Sequence, residues 1–379
     1  MKKILKVLWQ YFRKLDKLLF ISVCGVSFFS VVLMYSIIQN GITTKGPSMY
    51  KTQFISLCLG AFIALVMSAL DYQKFTKLWF LYAPAGVGLV LVTFTSLGIQ
   101  VEGADDKAWI DLGVTTLQPS EFLKIVFIMS FAYHLNKVGD KINNISHLAL
   151  LVVHGLIPIG LVAMQGDDGT AIVFMVIFAA MIFSAGLSWK YILPCLIAAP
   201  IGAYVLWNYV LAYHQKMRFI VVVNEELDPL GYGYQQRLGK IALGSGKLFG
   251  KGLFADDYSF VPEVQTDFIL TYVGQCFGFI GCIALIAALS FICLKIMADS
   301  RISKDNLGKY MCVGVSAMLF IHCVLNIGMV LVVTPVIGVP LPFVSQGGTA
   351  MLSMFLGIGL VMSVYSHSEK KYRVFYDAN

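Results

Sequence analysis

Charge is what this chain is short of: Asp, Glu, Lys and Arg make up 13% of its 379 residues, about half the ~25% typical of a soluble domain. That shortage excludes a freely soluble globular protein. With 58% hydrophobic residues and a mean hydropathy of +0.78, the composition identifies a polytopic membrane protein. Cysteine is present, eight residues in all, but no Cys-x-x-Cys spacing occurs and nearly all lie inside apolar runs, so neither a disulfide framework nor a thiolate cage is expected. The six histidines make no His-x-x-x-His pair, which removes the usual helical zinc motif. No internal repeat is visible, and the two halves differ in polar content, against a transporter of inverted-repeat build.

What is there is apolar length. Ten runs are candidates to cross about 30 Å of hydrocarbon: Leu18 to Ile38, Gln53 to Leu70, Leu78 to Gly98, Phe122 to Leu135, Leu148 to Met164, Thr170 to Leu187, Tyr191 to Leu211, Phe268 to Ala298, Tyr310 to Val333 and Gly347 to Tyr365. The fourth reaches across only if its helix begins near Ser120. The expected fold class is therefore all-α, with about ten transmembrane helices in a single domain over residues 18–366, a basic N-terminus 1–17 and a short tail 367–379.

Orientation follows from the distribution of Lys and Arg. Lys2, Lys3, Lys6, Arg13, Lys14 and Lys17, then Lys74 and Lys77, Lys137 and Lys141, Lys190, Lys295, Arg301, Lys304 and Lys309, and finally Lys370, Lys371 and Arg373 all fall on one side of a ten-span count. Both termini are then cytoplasmic. The outer side receives Glu102, Asp105, Asp106, Asp111, Asp167, Asp168 and one long polar loop over 213–266. The net charge of +7 follows from this bias and does not point to nucleic acid.

Carboxylates at a hydrocarbon boundary are costly and mark function. Asp267 stands at the mouth of the run Phe268 to Ala298, and Glu121 stands three residues before Lys124 at the mouth of another, a spacing that lets the two pair on one helix face. Asp167 either caps the following helix or orients a cation. Trp109 reads as an interfacial anchor. The outer loop carries Arg218, Arg237, Lys240, Lys247 and Lys251 among glycines and two prolines. It reads either as a cradle for an anionic head group or as a basic linker lying on phosphates.

The order of motifs resembles one family across nearly the whole chain. The pieces are Trp109-Ile110-Asp111-Leu112-Gly113, Gln118 to Lys124, Gln165-Gly166-Asp167-Asp168-Gly169-Thr170, Asp228-Pro229-Leu230-Gly231 with Gly233-Tyr234-Gln235, and Gly244-Ser245-Gly246. They continue through Pro262-Glu263, Thr266-Asp267-Phe268, Asn326, Gly338 to Phe343 and Ser345-Gln346-Gly347-Gly348. This arrangement resembles the SEDS family of shape, elongation, division and sporulation proteins, which includes RodA, FtsW and SpoVE. Gly250-Lys251-Gly252 and Trp109-Ile110-Asp111 look closer to the RodA side. The chain departs from the family pattern at Ala108, Leu238, Gly239, Gln275 and Cys276.

The resemblance implies a peptidoglycan glycosyltransferase of the bacterial plasma membrane that polymerises lipid II on the outer face and releases undecaprenyl pyrophosphate. Asp267 matches the family's essential aspartate, the base for the incoming hydroxyl. Glu121, Lys124, Asp167, Arg218, Gln235, Lys240 and Ser345 are the implied substrate-binding set. A pyrophosphate leaving group needs positive charge from Lys, Arg or a divalent metal such as Mg or Mn. The implied partner is a class B penicillin-binding protein, a transpeptidase. A lipid-linked precursor flippase and an inactive scaffold of a wall-synthesis complex are the alternative readings.

Overall fold

The computed structural model describes residues 11, 13–43, 46, 48–100, 106–113 and 116–368. The basic clusters at Lys2, Lys3 and Lys6 and at Lys370, Lys371 and Arg373, with Glu102 and Asp105, lie outside the described residues. Each of the ten apolar runs falls on a helix: α1 (Lys17–Gln39), α2 (Ser48–Ala69), α4 (Trp79–Val92) after the short α3 (Tyr72–Thr76), α5 (Pro119–Val138), α6 (Ile145–Met164), α7 (Asp168–Ser184), α8 (Trp189–Val205), α11 (Ile269–Arg301), α12 (Asn306–Val330) and α13 (Gly348–Ser366). Among the described residues, seven helices are long and apolar enough to cross a membrane, with α4 and α7 shorter apolar helices. The chain is a multi-pass membrane protein.

Polar residues fix where these helices begin. Asp16, Asp71, Asn144, Asp167 and Asp305 each accept a first-turn amide at 2.8–3.1 Å, removing donors that hydrocarbon could not satisfy. Pro119 opens α5 at a position where no amide is needed, so that helix runs to 20 residues and includes Ser120, Glu121 and Lys124. Small residues set the closest approach in the core. A Cβ on Gly359 of α13 would lie 2.9 Å from the Ala64 backbone of α2, the backbone proximity that membrane helix pairs use.

Two regions differ from the sequence reading. The segment 213–266, expected as one long polar loop on the outer side, contains α9 (Tyr213–Val223) and α10 (Tyr234–Ser245). Gly239 of α10 serves close packing, since a Cβ there would lie 3.0 Å from the Phe268 ring. Between the third and fourth apolar runs lies a three-stranded antiparallel sheet, β1 (Gly98–Ile99), β2 (Trp109–Asp111) and β3 (Thr116–Leu117), with Trp109 opposite Ile99.

The second difference lies in α11. Its 33 residues would make a straight rod of about 50 Å, far longer than a bilayer core. It breaks at Gly278 (φ 66°, ψ −162°). Cys282 Sγ lies 3.9 Å from the Leu270 carbonyl oxygen, although twelve residues of straight helix would separate them by about 18 Å. The two legs therefore fold back on each other. The long leg, residues 279–301, is about 34 Å and matches a membrane crossing. The short leg, residues 269–277, is buried against α10 and carries its first residue back into the bundle.

Candidate functional site

Backbone groups freed by the break at Gly278 would be costly unless paired. The segment Gly246-Lys247-Leu248-Phe249-Gly250-Lys251-Gly252 supplies the partners. Lys251 N and Gly252 N donate to the Gln275 and Cys276 carbonyls (2.8 and 2.9 Å), while Phe279 N and Ile280 N donate to the Lys247 and Leu248 carbonyls (2.8 and 3.2 Å). Only glycine allows this approach: a Cβ on Gly246 would sit 1.8 Å from the Gly274 oxygen, and one on Gly250 2.3 Å from the Cys276 oxygen.

At the far end of the short leg stands Asp267, partly buried, just before the Phe268 cap of α11. The folded-back short leg sets Asp267 beside Asn326 of α12. The turn before it is strained, with Glu263 at φ 51°, a region that costs a non-glycine residue roughly 1–3 kcal/mol. In return the Glu263 carbonyl accepts from the amides of Thr266, Asp267 and Phe268 (3.2, 3.2 and 3.3 Å), and its carboxylate accepts from Gln265 Nε2 and Thr266 Oγ1 (3.0 and 3.1 Å).

Three consecutive carbonyls of this turn are held from outside. Gln346 N donates to Gln265 O (2.8 Å), Ser345 Oγ donates to Thr266 O, and Asn326 Nδ2 donates to Asp267 O (2.9 Å). Ser345, expected to bind substrate, is 5% exposed and accepts from Leu341 N (2.9 Å). Its hydroxyl supports the turn from inside.

One helical turn before Asn326 on α12 is His322. Its Nδ1 donates to Met318 O (2.8 Å), which leaves Nε2 to accept from Lys124 Nζ (3.0 Å). Lys124 Nζ also donates to Glu121 Oε1 (2.7 Å), and Ser353 Oγ donates to Glu121 Oε2 (2.8 Å). Glu121 and Lys124 are 2% and 0% exposed, so the expected pair forms and is enclosed, with His322 and Ser353 as partners that the sequence did not single out. A carboxylate helix-end neighbour was the visible signal; a lone histidine in an apolar run was not.

Asp167 caps α7 through Thr170 N (2.9 Å) and accepts from Gln118 Nε2 (2.9 Å). Burial pushes its carboxyl up to about 6, with the Thr170 amide opposing that rise. Arg218 of α9 and Gln235 of α10 share a cavity of about 220 Å³ with Gly231, Tyr232 and Val336. The Asp228 carboxylate shapes its wall by accepting from Gly231 N and Tyr232 N (3.1 and 2.9 Å). Gln236 ties α10 to the end of α12 through the Met329 and Thr334 carbonyls (3.2 and 2.9 Å). Lys240 stands apart, paired with Glu225 at 3.1 Å and lining a second cavity of about 250 Å³ with Val332. Among the described residues no group of three or more His, Cys, Asp or Glu comes together.

A family model described as cell cycle protein, that of FtsW, RodA and SpoVE, matches residues 16–370. The peptidoglycan glycosyltransferase MrdB of Escherichia coli strain K12 is 32% identical over 324 residues, 84% of this chain and 86% of its own length. The probable peptidoglycan glycosyltransferase FtsW of Trichlorobacter lovleyi is 33% identical over 373 residues, 95% and 96% of the two chains. The fold is shared with a solved chain from work on the coordination of polymerization and crosslinking by a peptidoglycan synthase complex, with a TM-score of 0.79 at 24% identity, covering 95% of this chain and 99% of that one. It is also shared with the rod shape determining protein RodA of Thermus thermophilus, with a TM-score of 0.70 at 23% identity, covering 94% and 98%.

Proposed function

This chain belongs to the FtsW, RodA and SpoVE family of cell cycle proteins, and from that premise we propose that it is a peptidoglycan glycosyltransferase that polymerises lipid II at the outer face of the bacterial plasma membrane. A sugar hydroxyl of one lipid-linked disaccharide attacks the anomeric carbon of another with inversion. The new glycosidic bond forms as the bond to undecaprenyl pyrophosphate breaks, and the hydroxyl proton passes to Asp267. Ten crossings with both termini cytoplasmic put Asp267 and the 213–266 segment on the outer side. The Arg218 and Gln235 cavity suits an anionic pyrophosphate, with Arg218 supplying positive charge. The five residues lining that cavity include no carboxylate, a donor set that does not fit a Mg or Mn ion, so the charge assigned to the leaving group there is that of Arg218. Asp167 and Lys240, which lie outside that cavity's lining, are assigned to further parts of the substrate.

The observation that carries the reading is the fixation of the Asp267 turn, whose three successive carbonyls are each gripped by a different donor. Such over-determination is what a general base held to catalytic geometry requires. The purified chain with labelled lipid II tests it. Asp267→Asn keeps the shape and removes the base, so polymerisation should fall by about 10²–10⁴-fold while lipid II still binds. Asp257→Ala is the control, because that carboxylate is 75% exposed in an ion pair with Lys251. Near-normal glycan chains from Asp267→Asn would end the assignment, and an inactive wild type that moves lipid II across vesicles would favour the flippase.

A further inference from the structure

We infer that Asn326 is a positioning residue for Asp267, and that α12 acts as the spacer between the buried Glu121–Lys124 pair and the catalytic turn; this rests on the polymerase reading above. Asn326 is wholly buried. Its amide nitrogen donates to Asp267 O and to Val339 O, both at 2.9 Å, so it joins the catalytic turn to the segment that leads to Ser345. Since both partners are carbonyls, the amide orientation is forced. Its Oδ1 is buried with no hydrogen-bond partner among the described residues, a cost that a residue selected for packing alone would not carry.

His322 precedes it by four residues and so shares its helix face, about 6 Å away along the axis. His322 grips Lys124 at 3.0 Å while Asn326 grips Asp267. One rigid helix thereby spaces a buried cation from the base. A shift of α12 would move both attachments together, and a misplacement of about 1 Å can cost on the order of 100-fold in rate.

Asn326→Asp is nearly isosteric and replaces both donors with acceptors. In the purified full chain, kcat for lipid II polymerisation should fall about 100-fold with KM little changed. Added to Asp267→Asn, the same substitution should slow the residual rate no further, because it acts only through Asp267. Equal loss in kcat and KM, an unchanged kcat, or further slowing in the Asp267→Asn background would each overturn the proposal. Should Asn326→Asp not fold, or the residual rate fall below detection, amide hydrogen exchange decides with Asn326→Ser, which keeps one donor. Faster exchange over residues 264–270 with α13 unchanged supports the positioning role, and unchanged exchange there refutes it. Full activity of Asp267→Asn alone would instead reject the base assignment, a failure separate from that of Asn326.

Discussion

At the scale of single residues, the buried charges are the features with most at stake. Glu121 and Lys124 meet at 2.7 Å with side chains 3% and 1% exposed, and each has one further partner, Ser353 or His322. Glu121→Ala or Lys124→Ala leaves one uncompensated charge in the bundle, a change that costs roughly 3–5 kcal/mol. The double variant removes both charges, so its loss of thermal stability should be clearly less than the sum of the two single losses. Additive, mild effects would mean that the pair is solvated and only anchors α5. Gln275 shows how a departure from the family pattern can be read physically. Its amide accepts from Ser259 N (2.7 Å) and donates to Ser259 O (3.1 Å), a two-way grip on the backbone of one residue that a carboxylate could not make. Gly239 likewise clears space for the Phe268 ring, the residue next to Asp267.

At the scale of elements, the fold-back of α11 decides where Asp267 goes. Gly278→Ala should be strongly destabilising, because its φ of +66° excludes a side chain and its Cβ would meet Leu248 C at 2.4 Å and Gly250 N at 2.5 Å. A loss on the order of 2–4 kcal/mol is expected, with faster proteolysis of residues 246–252 as the local sign. Gly160→Ala of α6, where a Cβ meets nothing within 4 Å, should stay within about 0.5 kcal/mol. Equal effects from the two would show that the break is not held as described. The helices themselves were legible, because apolar length and capping carboxylates are local signals. The reversal was not, since a glycine in an apolar run looks like any packing glycine; the one available sign was a run too long for a single crossing. The grips of Asn326 on Asp267 and of Ser345 on Thr266, across 59 and 79 positions of the chain, are tertiary, and no spacing in the sequence encodes them. His322 was missed for the same reason, although a buried Lys124 with only one carboxylate needs a second acceptor.

At the scale of the whole molecule, the proposed reaction joins sugars, whereas joining stem peptides is an acyl transfer, a different chemistry. Strands made by such an enzyme carry stem peptides that remain uncrosslinked, so its product is useful only beside a transpeptidase. A class B penicillin-binding protein, anchored by its own single span, is therefore expected to copurify with this chain in detergent. Adding that partner in vesicles should raise the rate of glycan synthesis, and the increase should persist when the transpeptidase nucleophile is removed, because contact rather than crosslinking is the stimulus. The Asp267→Asn variant should still bind the partner yet show no stimulated synthesis, which separates assembly from catalysis. No bound transpeptidase, together with an unchanged rate on adding one, would leave the chain a polymerase that works alone.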